Sequence, residues 1–409
     1  MNDIYKILNN NFKYIFIFSY LIWITLIFFY VSNSSLIKAG ELHGLVLYGS
    51  DSISYIKDAK RFLNLDFSDL HTSKLSYIFF ITFVLSLNLG LTSIVIFQFF
   101  TTIISSFCLY LICKKLFSKW VGVTCLFLFL TYLPIQLRNF YILTEILFIN
   151  LSIILVYLCF FKQSYKTSII LISLFILFLR PQGFLIILSL FFTIIIFKKF
   201  NGIYNLLLKL GLFLISFFII IFFINIGIKD YELINSLSRG IIWGYSFDTN
   251  SICKKECIKG FSNPELYKKN IFEFFLYLKD NFLIITKVAF FKLTLYFSGW
   301  RPYYSNLHNI YIVLIHVPIF FLFVAYFLKT KKLYSLETFI IFYIGLSVIF
   351  VSVTFVDWSG RFIMYILPFM MIFASKSMID LISFSANNLK KKLIELIIKI
   401  VLFNYLISY

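Results

Sequence analysis

The chain alternates long apolar runs with short polar punctuation, and the lengths of the runs decide how each can be used. Phe12–Val31 is about 20 nearly unbroken apolar residues, enough for a helix to cross a bilayer core, and it has no small-residue cleavage site of the signal-peptide kind. Thr92–Ile112, Trp120–Leu137, Leu143–Phe161, Leu206–Ile228, Ile310–Leu328, Thr338–Val356 and Phe362–Ile379 read the same way. Leu75–Asn88 is apolar but only about 14 residues long, too short to span, so it is expected to lie on or dip into the membrane surface. Ser168–Leu179 and Phe184–Phe197 are two shorter runs meeting at Arg180-Pro-Gln-Gly183, which reads as a helical hairpin rather than one kinked helix. Asn270–Tyr296 is aromatic and interrupted by Lys279, Lys287 and Lys292, the pattern of an interfacial helix.

Composition and charge turn this pattern into a topology. The chain is 61% hydrophobic and 13% charged, half the charge content of a soluble domain, with a mean hydropathy of +0.93. A net charge of +19 would suggest nucleic acid in a soluble protein. Here the lysines cluster between apolar runs, where they orient the spans and meet anionic headgroups. No phosphate loop, RNA-binding signature or metal-ligand spacing is present, so nucleic acid is set aside. Lys6 and Lys13 put the N-terminus inside, and the Lys114, Lys115 and Lys119 cluster returns the chain inside. Repeating this logic predicts an all-α polytopic membrane protein of about 11 spans. Interfacial helices are expected in the first and fourth outer loops. The chain forms a single transmembrane domain over 1–409, with residues 32–90 and 229–305 as its large outer segments. The run after Lys392 is left open between spanning and interfacial.

On this topology Asp51, Glu145, Arg180, Arg301, His308 and Arg361 share the outer side. Ser50-Asp51-Ser52 precedes a stripe of Ile53, Ile56, Ala59 and Leu63 at helical spacing, which makes Asp51 an N-cap. The same carboxylate at the lipid–water boundary is also a candidate base for an acceptor hydroxyl. Glu145 sits near the head of a spanning helix, where an acid must face a cavity or a partner; a first-turn acid favoured by the helix dipole is its simpler reading. Arg361 opens a helix, where a cation is poorly placed for the dipole, and its planar guanidinium suits a phosphate. Arg180 and Arg301 have the same choice between snorkelling and phosphate binding, each before a proline at a turn. Tyr55, His71, Lys74 and His308 are secondary candidates for substrate contact. Cys108, Cys113, Cys125 and Cys159 fall in or beside apolar runs and read as packing. Cys253 and Cys257 lie in a polar loop and can pair if it faces an oxidising compartment.

The order of these features carries a resemblance. An outer-loop acid followed by a tyrosine ("GSDSISYIKDAKRF") precedes a short interfacial run ("LSYIFFITFVLSLNLG"). Then come "VIFQFF", the basic "CKKLFSK", "LPIQLRNFYILTEILF", "LRPQGFL" and "GRFIMYILPFMMIFAS". Over roughly residues 12 to 380 this resembles the GT-C superfamily of integral membrane glycosyltransferases, in plan the protein O-mannosyltransferases and lipid A aminoarabinose transferases. It departs in having Asp51-Ser52 where the family often has Asp-Glu, and Lys74-Leu75-Ser76-Tyr77 where Lys-Pro-Pro-Leu is usual. The resemblance implies transfer of a sugar from a polyprenyl-phosphate donor to a glycan, lipid or protein acceptor at the extracytoplasmic face of a bacterial inner membrane. Asp51 would be the base of an inverting attack, Glu145 the second acid, and Arg361, with Arg180 or Arg301, the phosphate ligand. No cofactor is required, although some relatives use a divalent metal. Two rival readings remain at this stage. An O-antigen polymerase or ligase would rest on Arg239, Arg301 and His308 and leave Asp51 dispensable. A lipid-linked sugar flippase predicts internal repeats and charges deep in the spans, and neither is evident.

Overall fold

The structure is a computed structural model and describes residues 2–33, 46–47, 50–66, 74–197, 271–301, 304–354 and 360–384. Regular structure among them is helical: α1 (Asn2–Asn33), α2 (Ser50–Leu63), α3 (Leu75–Ser86), α4 (Thr92–Leu116), α5 (Lys119–Thr131), α6 (Leu133–Gln136), α7 (Thr144–Phe161), α8 (Lys166–Leu179), α9 (Gly183–Phe197), α10 (Ile271–Asp280), α11 (Phe282–Ser298), α12 (Asn306–Lys329), α13 (Ser335–Val353) and α14 (Arg361–Phe384). A 3-10 turn, Leu137–Phe140, follows α6. His71, Arg239, Cys253, Cys257, Asp357, Leu206–Ile228 and the run after Lys392 lie outside the described residues.

Five helices (α4, α7, α12, α13 and α14) are long and apolar enough to cross a membrane, and this is an integral membrane protein built from helices. A sixth span is obtained if α5 and the Leu133–Phe140 segment are counted as one, bent by 63° at the Tyr132–Pro134 break. The sequence reads Trp120–Leu137 as one straight span. Pro134 sits at the start of α6, where a proline is tolerated because its missing N–H would have no partner there. Against the about 11 spans expected, the described residues hold five or six helices long and apolar enough to cross, with shorter apolar helices at α3, α8, α9 and Tyr14–Phe29.

The chain divides into two compact units. The division runs through α12 at Pro318–Ile319 and through α14 at Ile366–Leu367, beside Pro318 and Pro368, the prolines inside these two helices. Each proline removes one backbone hydrogen bond from its helix and is a natural place for one packing unit to give way to another.

In the first unit α4 packs on α5 and α7, α1 on α5, and α2 on α3. Its core is apolar but threaded by buried polar side chains, several of which bond one another. Trp23 donates from Nε1 to Gln136 Oε1 (2.9 Å). Thr102 donates to Asn139 Oδ1 (2.8 Å), Asn150 donates to Thr101 and Thr102 (3.1 and 2.8 Å), and Ser105 donates to Asn150 Oδ1 (2.7 Å). In lipid there is little hydrophobic drive between helices, so packing and such interhelical hydrogen bonds hold α4 to α7. In the second unit α11 packs along α13.

Candidate functional site

The segments that lead to Asp51 and Glu145 are joined by a short backbone pairing that the sequence does not announce. Leu47 forms an isolated parallel bridge with Tyr141, and its N–H donates to Phe140 O (2.9 Å). Val46 and Leu47 are buried. The two strand-like segments run in the same direction, each into a helix: α2 after Leu47, α7 after Tyr141. Asp51 follows Leu47 by four residues and Glu145 follows Tyr141 by four, so the bridge joins the segments that lead to the two acids. Asp51 falls inside the first turn of α2, as its second residue, rather than ahead of it as a cap. It is half-buried, and its carbonyl accepts from Ser54 Oγ (2.8 Å).

Two tyrosines complete this cluster. Tyr55 lies one turn along α2 from Asp51 and is buried, its ring meeting that of Tyr77 on α3 edge-on at 5.7 Å. Tyr77 is fully buried. Burial pushes its phenol well above the usual range, and the charge of Glu145 and the neighbouring Tyr55 push it further. Tyr77 donates to Gln98 Oε1 (3.3 Å), and Gln98 Nε2 donates to Asn139 O (2.8 Å) and Tyr141 O (3.0 Å). Gln98 thus ties α3 to the segment that bridges Leu47.

Glu145 has no exposure, and its Oε1 lies 3.0 Å from Arg180 Nη1. The same nitrogen donates to Thr144 Oγ1 (2.7 Å), and Arg180 Nε donates to Gln182 Oε1 (3.4 Å). Arg180 is buried at the break between α8 and α9. It does not snorkel, and it is engaged with a carboxylate rather than held open for a phosphate. The ion pair resolves the cost of an acid at membrane depth, because each charge is the other's compensation. Lys74 is half-buried at the head of α3.

The remaining candidates belong to the second unit. Arg361 is the first residue of α14 and is half-buried. Gly360 before it has φ +70, and a β-carbon there would stand 3.5 Å from Arg301 Nη2. Arg301 is 1% exposed, so it too fails to snorkel. Its Nη1 donates to Trp300 O (2.8 Å) and Leu295 O (3.1 Å), its N–H donates to Asn309 Oδ1 (2.8 Å), and Asn309 Nδ2 returns a bond to Arg301 O (2.7 Å). His308 is exposed, with its ring 4.2 Å from that of Tyr304.

Sequence reasoning missed Tyr77, Gln98, Asn139 and Lys292. Gln98 was visible as a lone amide inside "VIFQFF", a polar group that lipid depth makes costly without a partner. Lys292 was read only as an interruption of an interfacial stretch. It is fully buried, and burial lowers its ammonium to about 7. Among the described residues no cluster of three or more His, Cys, Asp or Glu side chains could hold a metal ion. Cys108, Cys113 and Cys125 are buried free thiols, as packing residues should be. No protein-family model, curated protein or solved structure matches the chain.

Proposed function

We propose that this chain is a membrane glycosyltransferase on the GT-C plan, moving a sugar from a polyprenyl-phosphate donor to an acceptor hydroxyl at the outer membrane face. The observation that supports the reading is the Leu47–Tyr141 pairing, which joins the segments that lead to Asp51 and to Glu145. Two acids in different environments are what an acid–base site requires: Asp51 half-buried, Glu145 enclosed with Arg180. In this reading Asp51 accepts the proton of the acceptor hydroxyl as the oxygen attacks the anomeric carbon. The glycosyl–phosphate bond breaks with inversion, and the phosphate leaves with the bonding electrons. Glu145, oriented by Arg180 and Thr144, fixes the acceptor. Arg361, at the positive end of α14, receives the phosphate charge.

In this reading the phosphate role belongs to Arg361, the first residue of α14. The exposed His308 and the inward-held Arg301 give no support to a polymerase or ligase centred on those two residues. The test is Asp51→Asn in membranes supplied with polyprenyl-phosphate sugars. Transfer should fall on the order of 10²–10⁴-fold with membrane insertion unchanged. Full activity in that variant would remove Asp51 from the chemistry and the reading with it.

A further inference from the structure

Lys292, Tyr296 and Arg301 belong to one stretch of chain; Lys292 and Tyr296 each reach a carbonyl beside the 355–359 connection, and Arg301 lies next to Gly360. Lys292 and Tyr296 are four apart and share a face of α11. Lys292 Nζ donates to Thr354 O (2.6 Å) and Ser352 O (3.5 Å), carbonyls at the C-terminal end of α13. Tyr296 donates from its hydroxyl to Phe362 O (3.3 Å), in the first turn of α14. Arg301 lies against Gly360 and is fastened to Leu295, Trp300 and Asn309. Gly299, which turns the chain from α11 into this arginine, has φ +70, and a β-carbon there would overlap the rings and methyls of Ile312 and His316. The chain is thus bonded on one side of 355–359 by Lys292 and on the other by Tyr296, with Arg301 packed beside Gly360.

We propose that Lys292, Tyr296 and Arg301 form a clamp that fixes the entry of α14 and so aims Arg361 at its anionic ligand. The inference rests on the phosphate role of Arg361 proposed above. A fully buried ammonium is expensive, and an apolar side chain of similar volume would pack α11 against α13 more cheaply. The charge has a use where it sits: unpaired carbonyls and the negative end of the helix dipole at the α13 terminus. These are positioning residues, not catalytic ones, since none is assigned contact with substrate.

The test combines hydrogen exchange with ligand binding on the full chain in detergent. Lys292→Met keeps the stem and removes the donor; Tyr296→Phe removes only a hydroxyl and guards against a folding failure in the first variant. Amides over 360–367 should exchange about tenfold faster in Lys292→Met and measurably faster in Tyr296→Phe, with α4 unchanged. Binding of a prenyl monophosphate probe should weaken about tenfold in Lys292→Met. Unchanged exchange over 360–367 in both folded variants overturns the clamp. Faster exchange with unaltered probe binding, while Arg361→Ala does weaken binding, overturns its role in aiming Arg361. If Arg361→Ala leaves binding intact, the phosphate reading falls, and the exchange measurement alone decides the clamp.

Discussion

The two units handle buried positive charge in opposite ways. In the first, Arg180 meets the Glu145 carboxylate at 3.0 Å, with Thr144 and Gln182 completing its bonds. In the second, Lys292 meets backbone carbonyls at a helix C-terminus, and Arg301 does the same at the end of α11. A carboxylate partner carries a full opposite charge, so each member of the pair depends on the other. A carbonyl carries only a partial charge. It orients a cation but does not offset the loss of water, which is why Lys292 sits at about 7. Paired charge makes a rigid site; carbonyl-held charge makes one that pH can loosen.

Breaking the first arrangement should have the largest effect on stability. Glu145→Gln or Arg180→Gln each leaves a buried charge without its counter-charge, an expected loss of about 3–5 kcal/mol in detergent unfolding. The double variant should recover much of that loss, because no buried charge remains. Equal losses that simply add would show that the pair is not coupled.

Lys292 sharpens the comparison through pH. Its ordinary value of 10.5 applies in the unfolded chain and about 7 in the folded one. Below pH 7 both states are charged and the fold bears the full desolvation cost. Between pH 7 and 10.5 the unfolded state binds more protons, so stability rises with pH. The expected gain is about 2 kcal/mol from pH 7 to pH 9, and it should vanish in Lys292→Met. A flat profile in the wild type would mean that the carbonyls compensate the ammonium as fully as an acid would.

The smallest effect belongs to the polar thread that holds α4 to α7. Thr102→Val removes a hydroxyl that bonds Asn139 and Asn150, and should cost about 1 kcal/mol. The Glu145–Arg180 pair should be undisturbed, since its partners are Thr144 and Gln182.

Much of the architecture was legible in the chain. Runs such as Thr92–Ile112, Leu143–Phe161 and Phe362–Ile379 became α4, α7 and α14 to within a few residues, and the short runs at Leu75 and Lys166 became short helices. Hydrophobicity and helical spacing are local sums, read along a window without knowledge of neighbours. The bend at Tyr132–Pro134 was harder to see, because an apolar run looks the same straight or broken.

The sequence by itself determined that this protein lives in a membrane as a bundle of helices, and it singled out Asp51, Glu145, Arg180, Arg301 and Arg361 as charges in need of an explanation. Only the tertiary structure gave the buried charges their partners. It gave Arg180 to Glu145, 35 residues away, Lys292 to Thr354, 62 residues away, and the head of α2 to the head of α7 through Leu47 and Tyr141. Burial demands a partner but does not name one, and partners this distant in sequence are chosen by how the helices pack.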